Sequence, residues 1–266
     1  MDVAQVKQRQ RAVWGGGDYR SLSHMLEPAA VALCEACAVS AGQEVLDVAA
    51  GDGNFALAAA REGAAVVASD LSPGMVERGR ARTSELGFEI EWREADAEEL
   101  PFGDARFDCV GSVFGAMIAP RPERVASELF RVARPGGTVG MTAWTRDSFA
   151  SAMFDIGRKY VPPPPDMPLA KEWGDEEVVK GRFDGLAATI EFERARVVWE
   201  ADSIQSFGER LEATPVQAAA KENMPAEHYE AMQAEQLELA AKWNSADNGS
   251  VRLEAEYLIS VARKRG

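Results

Sequence analysis

The sequence predicts an α/β fold, a doubly wound and mostly parallel sheet with helices on both faces. Two observations lead to this prediction. Five short apolar stretches between residues 43 and 144 alternate with stretches of helical period, and a glycine-rich turn joins the first apolar stretch to an alanine-rich helix. Short strands that alternate with helices form parallel βαβ units, and right-handed crossovers place their helices on both faces of the sheet. A ligand is therefore expected at the carboxyl ends of the strands.

The core elements follow one another in alternation. Strands are predicted at residues 43–48, 64–70, 88–94, 107–113 and 138–144, and helices at 54–62, 72–86 and 122–134. Ser72 and Pro73 are typical of a helix start, and Gly63 and Gly87 are typical of residues that follow a helix end. Pro135, Gly136 and Gly137 are expected to end the third helix.

The flanking regions are expected to complete a single domain with this core, residues 40–144. Residues 1–39 are predicted to form a helical lid, and residues 145–250 are predicted to supply the substrate side. The substrate side is expected to contain a proline spacer at 162–165, a short helix at 175–183, a long strand at 188–200 and helices at about 203–222 and 225–243. Residues 251–266 are predicted to close the chain as a strand.

Composition limits the partners and the location. The net charge of −14 over 266 residues repels phosphate backbones and anionic membranes, so no nucleic acid partner is expected. No apolar run approaches the ~20 residues of a membrane span, so no membrane partner is expected either. Three cysteines, an odd number, favour a reducing compartment, and a cytoplasmic location is expected. Cys34 and Cys37 fall on one face of a helix predicted at 28–38, which favours a packing role over a metal site.

The glycine-rich turn favours a cationic ligand over a diphosphate. Gly51 and Gly53 allow close backbone approach at a helix N-terminus, and Asp70 lies 19 residues after Gly51, where a carboxylate binds ribose hydroxyls. This pattern also suits a nicotinamide dinucleotide. A pyrophosphate, however, would face Asp47 and Asp52, and no lysine or arginine lies between residues 42 and 60 to neutralise them. S-adenosylmethionine has a ribose, an ammonium and a sulfonium and no phosphate, so the turn predicts this cofactor.

A second acidic position supports a nucleoside ligand. Asp96 comes just after the third strand, where its carboxylate can accept from an adenine amino group, and the N–H of Ala97 can reach a ring nitrogen. Leu71 and Met75 follow Asp70 and are placed to cover the faces of the adenosine.

Four ordered segments resemble the class I S-adenosylmethionine-dependent methyltransferases, in particular the quinone-biosynthesis-type and related small-molecule enzymes. These segments read VLDVAAGDGNFA, SDLSPGMVERGR, READAEELPFGDARFDCVGSVFG and ELFRVARPGGTVGMTAW. The resemblance implies a seven-stranded sheet whose sixth strand is 188–200 and whose last strand, 251–265, is antiparallel. It also implies roles for the cofactor residues: Asp47, Ala49, Gly51 and Gly53 at the methionine part, Asp70 at the ribose, Asp96 and Ala97 at the adenine, and Ser112 and Val113 near the sulfonium. The family usually has glycine where Ala49 stands, and alanine is expected to keep a negative φ there.

The expected chemistry is in-line transfer of the methyl group, with S-adenosylhomocysteine as the second product. Positioning can supply about 7–11 kcal/mol of the barrier in such a reaction. A general base is needed only if the acceptor must lose a proton, and the candidates are Tyr19, His24 and His228. Candidate pocket walls are Trp14, Phe114, Met117 and Trp144.

Several functions remain open from the sequence. The favoured one is methylation of an oxygen or nitrogen of a small apolar or aromatic molecule by a monomer or homodimer. The alternatives are C-methylation of a quinone or polyketide-like precursor, a nicotinamide-dependent dehydrogenase, and a non-catalytic module that binds S-adenosylmethionine. Each general-base candidate is also explained by an ordinary packing or surface role.

Overall fold

Seven strands form one sheet in the computed structural model, which describes all 266 residues. They are β1 (Glu44–Val48), β2 (Ala65–Asp70), β3 (Glu91–Glu94), β4 (Phe107–Val113), β5 (Ala133–Trp144), β6 (Ala187–Ala201) and β7 (Val251–Lys264). Their order across the sheet is β3-β2-β1-β4-β5-β7-β6, and β7 runs antiparallel to both of its neighbours. The predicted seven-stranded architecture with an antiparallel last strand is therefore confirmed.

Ten α-helices pack around this sheet. They are α1 (Val3–Gly15), α2 (Arg20–Ala36), α3 (Asn54–Arg61), α4 (Pro73–Glu85), α5 (Pro122–Val132), α6 (Phe149–Tyr160), α7 (Glu176–Phe183), α8 (Ile204–Ala213), α9 (Pro215–Asn223) and α10 (Ala226–Trp243). α2 and α3 contact each other and the central strands, and α5 and α7 contact each other beside β4, β5 and β7. None of these helices is both long and apolar enough to cross a membrane.

Close packing of helix on sheet depends on two glycines in the strands. A Cβ atom on Gly111 of β4 would lie 2.2 Å from the ring of Phe55 on α3, and one on Gly140 of β5 would lie 2.3 Å from Sγ of Cys37. Cys34 and Cys37 are both free thiols buried in the core, so the CxxC pair has a packing role.

Several elements differ from the sequence prediction. The helix predicted at 28–38 is α2, which begins at Arg20 and ends at Ala36. Residues 135–137 were expected to end a helix, but α5 ends at Val132 and β5 already begins at Ala133. β3 covers only the last four residues of the predicted 88–94. α6 was not predicted, although Ser148 caps it by accepting a hydrogen bond from the backbone N–H of Ser151. α6 packs against α10 and β7, and Phe149 at its start meets Trp199 of β6 edge-on at 5.5 Å. No strand pattern follows it directly in the sequence, so it did not extend the βα alternation.

Candidate active site

A large cavity opens at the carboxyl ends of the strands, where the ligand of a doubly wound sheet is expected. Its volume is about 1020 Å³, at the upper end of the roughly 300–1,000 Å³ of typical ligand pockets. One end lies at the glycine-rich turn and at the ends of β1 and β2. The other end lies between β5, β6 and helices α6, α9 and α10. One continuous space therefore joins the turn to an apolar chamber.

The turn after β1 has three residues with left-handed backbone. They are Ala49 (φ 53°), Gly51 (φ 57°) and Gly53 (φ 95°). The expectation that Ala49 keeps a negative φ is wrong, and the left-handed conformation costs an L-residue about 1–2 kcal/mol. The carbonyl oxygen of Ala49 lies only 2.2 Å from where a Cβ of Gly115 would be, so close packing against Gly115 accompanies this strained turn.

Asp70, at the end of β2, holds the turn from beneath. Its carboxylate accepts hydrogen bonds from the backbone N–H groups of Gly51 (2.9 Å) and Ser72 (2.8 Å). Burial raises the pKa of Asp70 to about 6, although these N–H groups act in the opposite direction. Asp70 lines the cavity with lone pairs still free to accept from a ligand.

Asp47 lies just below the cavity surface. Its Oδ2 accepts from the backbone N–H of Ala56 at 2.9 Å, while its Oδ1 is buried without any hydrogen-bond partner. Burial, reinforced by the nearby Asp70 and Asp52, raises the pKa of Asp47. The site therefore holds an unsatisfied acceptor next to the turn.

Asp52 differs from the sequence interpretation. It was expected to face the ligand without a neutralising cation, but Arg82 on α4 donates to its Oδ1 at 2.9 Å. The hydroxyl of Ser23 also donates to this oxygen, and Arg82 reaches Glu27 and Asn54 as well. Asp52 thus belongs to a network between α2, α3 and α4, and the acidic side chains near the turn that have no basic partner are Asp47 and Asp70.

Asp96 has a partner that the sequence did not predict. Lys7 on α1 forms salt bridges with both Asp96 and Glu98, and Glu98 is also paired with Arg121. Asp96 and Ala97 line the cavity, as do Leu71 and Met75. The acidic group after β3 therefore lies at the cavity, but the amino-terminal helix already neutralises part of its charge.

The helix α1 is fastened across the cofactor end of the cavity. The guanidinium group of Arg78 on α4 donates to the backbone carbonyls of Trp14, Gly15, Gly16 and Gly17. At the opposite side, Gln10 donates to the carbonyl of Ile118 at 2.8 Å. We call this set of contacts around Arg78 the clasp.

Aromatic side chains form the wall between the two ends of the cavity. Phe114 stacks on Trp144 with ring centroids 3.8 Å apart, and Trp199 meets Trp144 edge-on at 6.0 Å. Phe114 has a φ of 55°, which is rare for a bulky residue and marks a functional position more often than an ordinary loop. All four predicted wall residues line the cavity: Trp14, Phe114, Met117 and Trp144.

The candidate bases occupy three different environments. Tyr19 lines the cavity beside the turn, and burial with the charges of Asp52, Asp70 and Asp47 raises its pKa. His228 is exposed on α10 and also lines the cavity. His24 lies away from the cavity, with a side chain 61% exposed and 3.2 Å from Glu27. Of the predicted cofactor residues, eight line the cavity, and Asp47, Gly53 and Ser112 do not.

Residues missed by the sequence analysis fall into two groups. Lys7, Arg78 and Arg82 act across long sequence separations, so no local pattern marks them. The chamber residues on α6, α9 and α10 share a helical spacing that could have been noticed, as in His228, Met232 and Gln236.

A doubly wound sheet of this order, with a cavity at the glycine turn and acidic residues after β2 and β3, defines a class I methyltransferase fold. The chain belongs to the S-adenosylmethionine-dependent methyltransferases. Residues 45–137 match the family model described as a methyltransferase domain.

Three similar proteins match different shares of the chain. An uncharacterized protein of Mycobacterium bovis is 36% identical over 264 residues, which cover 96% of this chain and 94% of that protein. A demethylmenaquinone methyltransferase of Clavibacter sepedonicus is 44% identical over 109 residues, covering 41% of this chain and 44% of that one. The phosphoethanolamine N-methyltransferase 2 of Haemonchus contortus, solved with S-adenosylhomocysteine, has a TM-score of 0.57 at 19% identity, covering 90% of this chain and 53% of that chain.

The residues present fit the cofactor of the family. A Cβ atom at Gly51 would lie 2.7 Å from the phenol oxygen of Tyr19, so glycine is what lets a group approach the backbone closely at this end of the cavity. The orphaned Oδ1 of Asp47 and the buried carboxylate of Asp70 are hydrogen-bond acceptors, and neither residue forms a salt bridge within the protein. These acidic side chains suit a cationic nucleoside better than an anionic dinucleotide.

Proposed function

We propose that this chain transfers a methyl group from S-adenosylmethionine to an oxygen or nitrogen of an apolar small molecule held in the same cavity. The observation that carries the proposal is the single cavity of about 1020 Å³, which runs from the acidic glycine turn to an aromatic and methionine-rich chamber. When bound, the cofactor supplies a methyl group already activated by the sulfonium.

The residues at the turn would bind and orient the cofactor. Asp70 would accept hydrogen bonds from the ribose hydroxyls. Asp96 and Ala97 would contact the adenine, and Lys7 would either move away from the Asp96 carboxylate or share it with the adenine. Leu71 and Met75 would cover the adenosine, since both line the cavity beside Asp70. The methionine part would lie at Ala49, Gly51 and Gly53, with Asp47 beneath. Ser112 and Val113 would lie near the sulfonium, and the hydroxyl of Ser112 joins the ends of β4 and β1 by donating to the carbonyl of Val48 at 2.7 Å.

The acceptor chamber would exclude water and align the nucleophile. Phe114, Met117 and Trp144 would form its wall, and Trp14 would close it from the lid. Tyr19 would act as a hydrogen-bond donor rather than a base, because its raised pKa keeps the phenol protonated near neutral pH.

His228 is the candidate base if the acceptor must lose a proton. It lines the cavity, whereas His24 is an exposed histidine away from it, and the two form a matched pair for mutation. We expect His228→Ala to lower kcat by about 100-fold or more, the size of a general-base contribution, and His24→Ala to leave it unchanged. Steady-state kinetics with the identified acceptor measure kcat of both variants. Equal kcat values for His228→Ala and His24→Ala would show that His228 is not the base.

C-methylation of a quinone-type ring is the second candidate function. The relative from Clavibacter sepedonicus, a demethylmenaquinone methyltransferase, supports it, although that similarity covers 41% of this chain. An aromatic-walled chamber accepts a ring in either case.

Isotope transfer from the cofactor tests the proposal. The protein is incubated with methyl-labelled S-adenosylmethionine and a metabolite extract, and labelled products are identified by mass spectrometry. A labelled apolar small molecule supports the proposal, and its label position separates oxygen, nitrogen and carbon acceptors. Cofactor binding without any labelled product would instead favour a non-catalytic binding module.

A further inference from the structure

We propose that the acceptor is an apolar ring molecule that carries a hydroxyl or N–H group, and that the amide pair Gln217–Gln236 recognises this group. The inference rests on the function proposed above and narrows its substrate class. The two residues lie on α9 and α10 and both line the acceptor end of the cavity.

The amide pair is buried but only half satisfied. Gln217 is 5% exposed and Gln236 is 3% exposed, and the Nε2 of Gln217 donates to the Oε1 of Gln236 at 2.9 Å. The Oε1 of Gln217 is buried and has no hydrogen-bond partner. A buried acceptor without a partner costs its full desolvation, so a ligand donor that reaches it would recover that cost.

This conclusion does not depend on how the two amides are oriented. If both side chains were flipped, the hydrogen bond between them would run the other way, and one donor and one acceptor would again be left over. In either orientation the pair offers a ligand both kinds of hydrogen bond. A hydroxyl, which can donate and accept, matches such a pair.

The surroundings of the pair are apolar. Met232 lies one helical turn before Gln236 on α10, and Val216 precedes Gln217 on α9; both line the cavity. A second orphan polar atom in the same chamber is the Nε1 of Trp199, a buried donor without a partner. The Nε1 of Trp173 is also buried without a partner but lies away from the cavity, so an unpaired indole N–H does not by itself mark a ligand site. Unpaired polar atoms in a cavity lined mainly by hydrophobic residues favour a ligand that is apolar apart from a polar substituent.

The test compares two probes that differ in one hydrogen-bond donor. They are 1-naphthol and 1-methoxynaphthalene, titrated calorimetrically into the full chain saturated with S-adenosylhomocysteine. We expect the wild type to bind 1-naphthol at least tenfold more tightly. Sites built to bond a hydroxyl reject analogues that lack it. Gln217→Leu should lower the affinity for 1-naphthol at least tenfold and leave the affinity for 1-methoxynaphthalene unchanged.

Control variants separate recognition from general damage. Gln205→Leu changes an exposed glutamine on α8 and should alter neither affinity. Gln236→Leu is the second test of the pair and should reduce the preference in the same way as Gln217→Leu. Equal affinities for the two probes in the wild type, no binding of either, or a preference that survives both single variants would overturn the proposal. Such results would leave label transfer to a metabolite intact, so the two proposals fail separately.

Thermal unfolding gives a readout that is independent of ligand. Replacing both amides, in Gln217→Leu/Gln236→Leu, removes the orphan acceptor and should raise Tm, because an apolar pair suits this environment better. A rise in Tm together with loss of the 1-naphthol preference supports a recognition role. A fall in Tm would assign the pair to structure and overturn the proposal.

Discussion

Gly51→Val is expected to abolish binding of S-adenosylhomocysteine and leave the fold in place. The Cβ atom at residue 51 would lie 2.7 Å from the phenol oxygen of Tyr19, in the gap that the cofactor is proposed to occupy. Valine is also strained at the φ of 57° found there. We expect at least a hundredfold loss of affinity by calorimetry.

Gly42→Val is the matched control for that change. Gly42 has a φ of 83°, so valine is strained there too, but a Cβ atom would meet nothing within 4 Å. Backbone strain should lower the free energy of unfolding of both variants by about 1–3 kcal/mol, as measured by denaturant titration, and Gly51→Val should lose more because of its contact with Tyr19. Only the change at Gly51 should remove binding, and full affinity in that variant would place the cofactor elsewhere.

Asp70→Ala is expected to lower the affinity for S-adenosylhomocysteine at least tenfold. The carboxylate of Asp70 fixes the N–H groups of Gly51 and Ser72 and lines the cavity, so the change removes a ligand acceptor and frees the turn. Hydrogen bonds to a charged group contribute about 1.5–3 kcal/mol each, which corresponds to a factor of ten or more. Unchanged affinity by calorimetry would contradict the ribose assignment.

The same residue predicts a pH dependence. Burial raises the pKa of Asp70 to about 6 in the ligand-free protein, and ribose hydroxyls would bond the ionised form. Binding therefore releases a proton below pH 6, and affinity should fall toward tenfold per pH unit there. The free energy of unfolding changes with pH in the opposite direction to the affinity. The raised pKa of Asp70 stabilises the folded protein fully below the unfolded pKa near 4, and this stabilisation is lost as pH rises through 6. In Asp70→Asn this component of both profiles should be absent.

The sequence predicted the strands of the core and the glycine turn because their signals are local. The strand predicted at 107–113 coincides with β4, and Asp70 ends β2 as expected. An apolar run between turn residues is sufficient for such predictions. Glycine spacing likewise identified Gly51 without any knowledge of the rest of the chain.

The electrostatics of the turn could not be predicted in the same way. Asp52 was interpreted from its neighbours in sequence, yet its cation, Arg82, lies 30 residues later. Lys7 and Asp96 are 89 residues apart. Their pairing depends on how α1 packs against α4 and α9, and no periodicity in the sequence indicates that packing. The left-handed Ala49 was missed because alanine rarely adopts this conformation unless its surroundings impose it.

The clasp around Arg78 ties the first helix of the chain to the helix that follows β2. Lys7 and Trp14 from this first helix line the space in which the cofactor is proposed to sit. Spent cofactor would then leave only after the four carbonyl contacts of Arg78 open, and fresh cofactor would enter by the same route. We therefore expect kcat to be limited by the opening of this N-terminal segment rather than by methyl transfer.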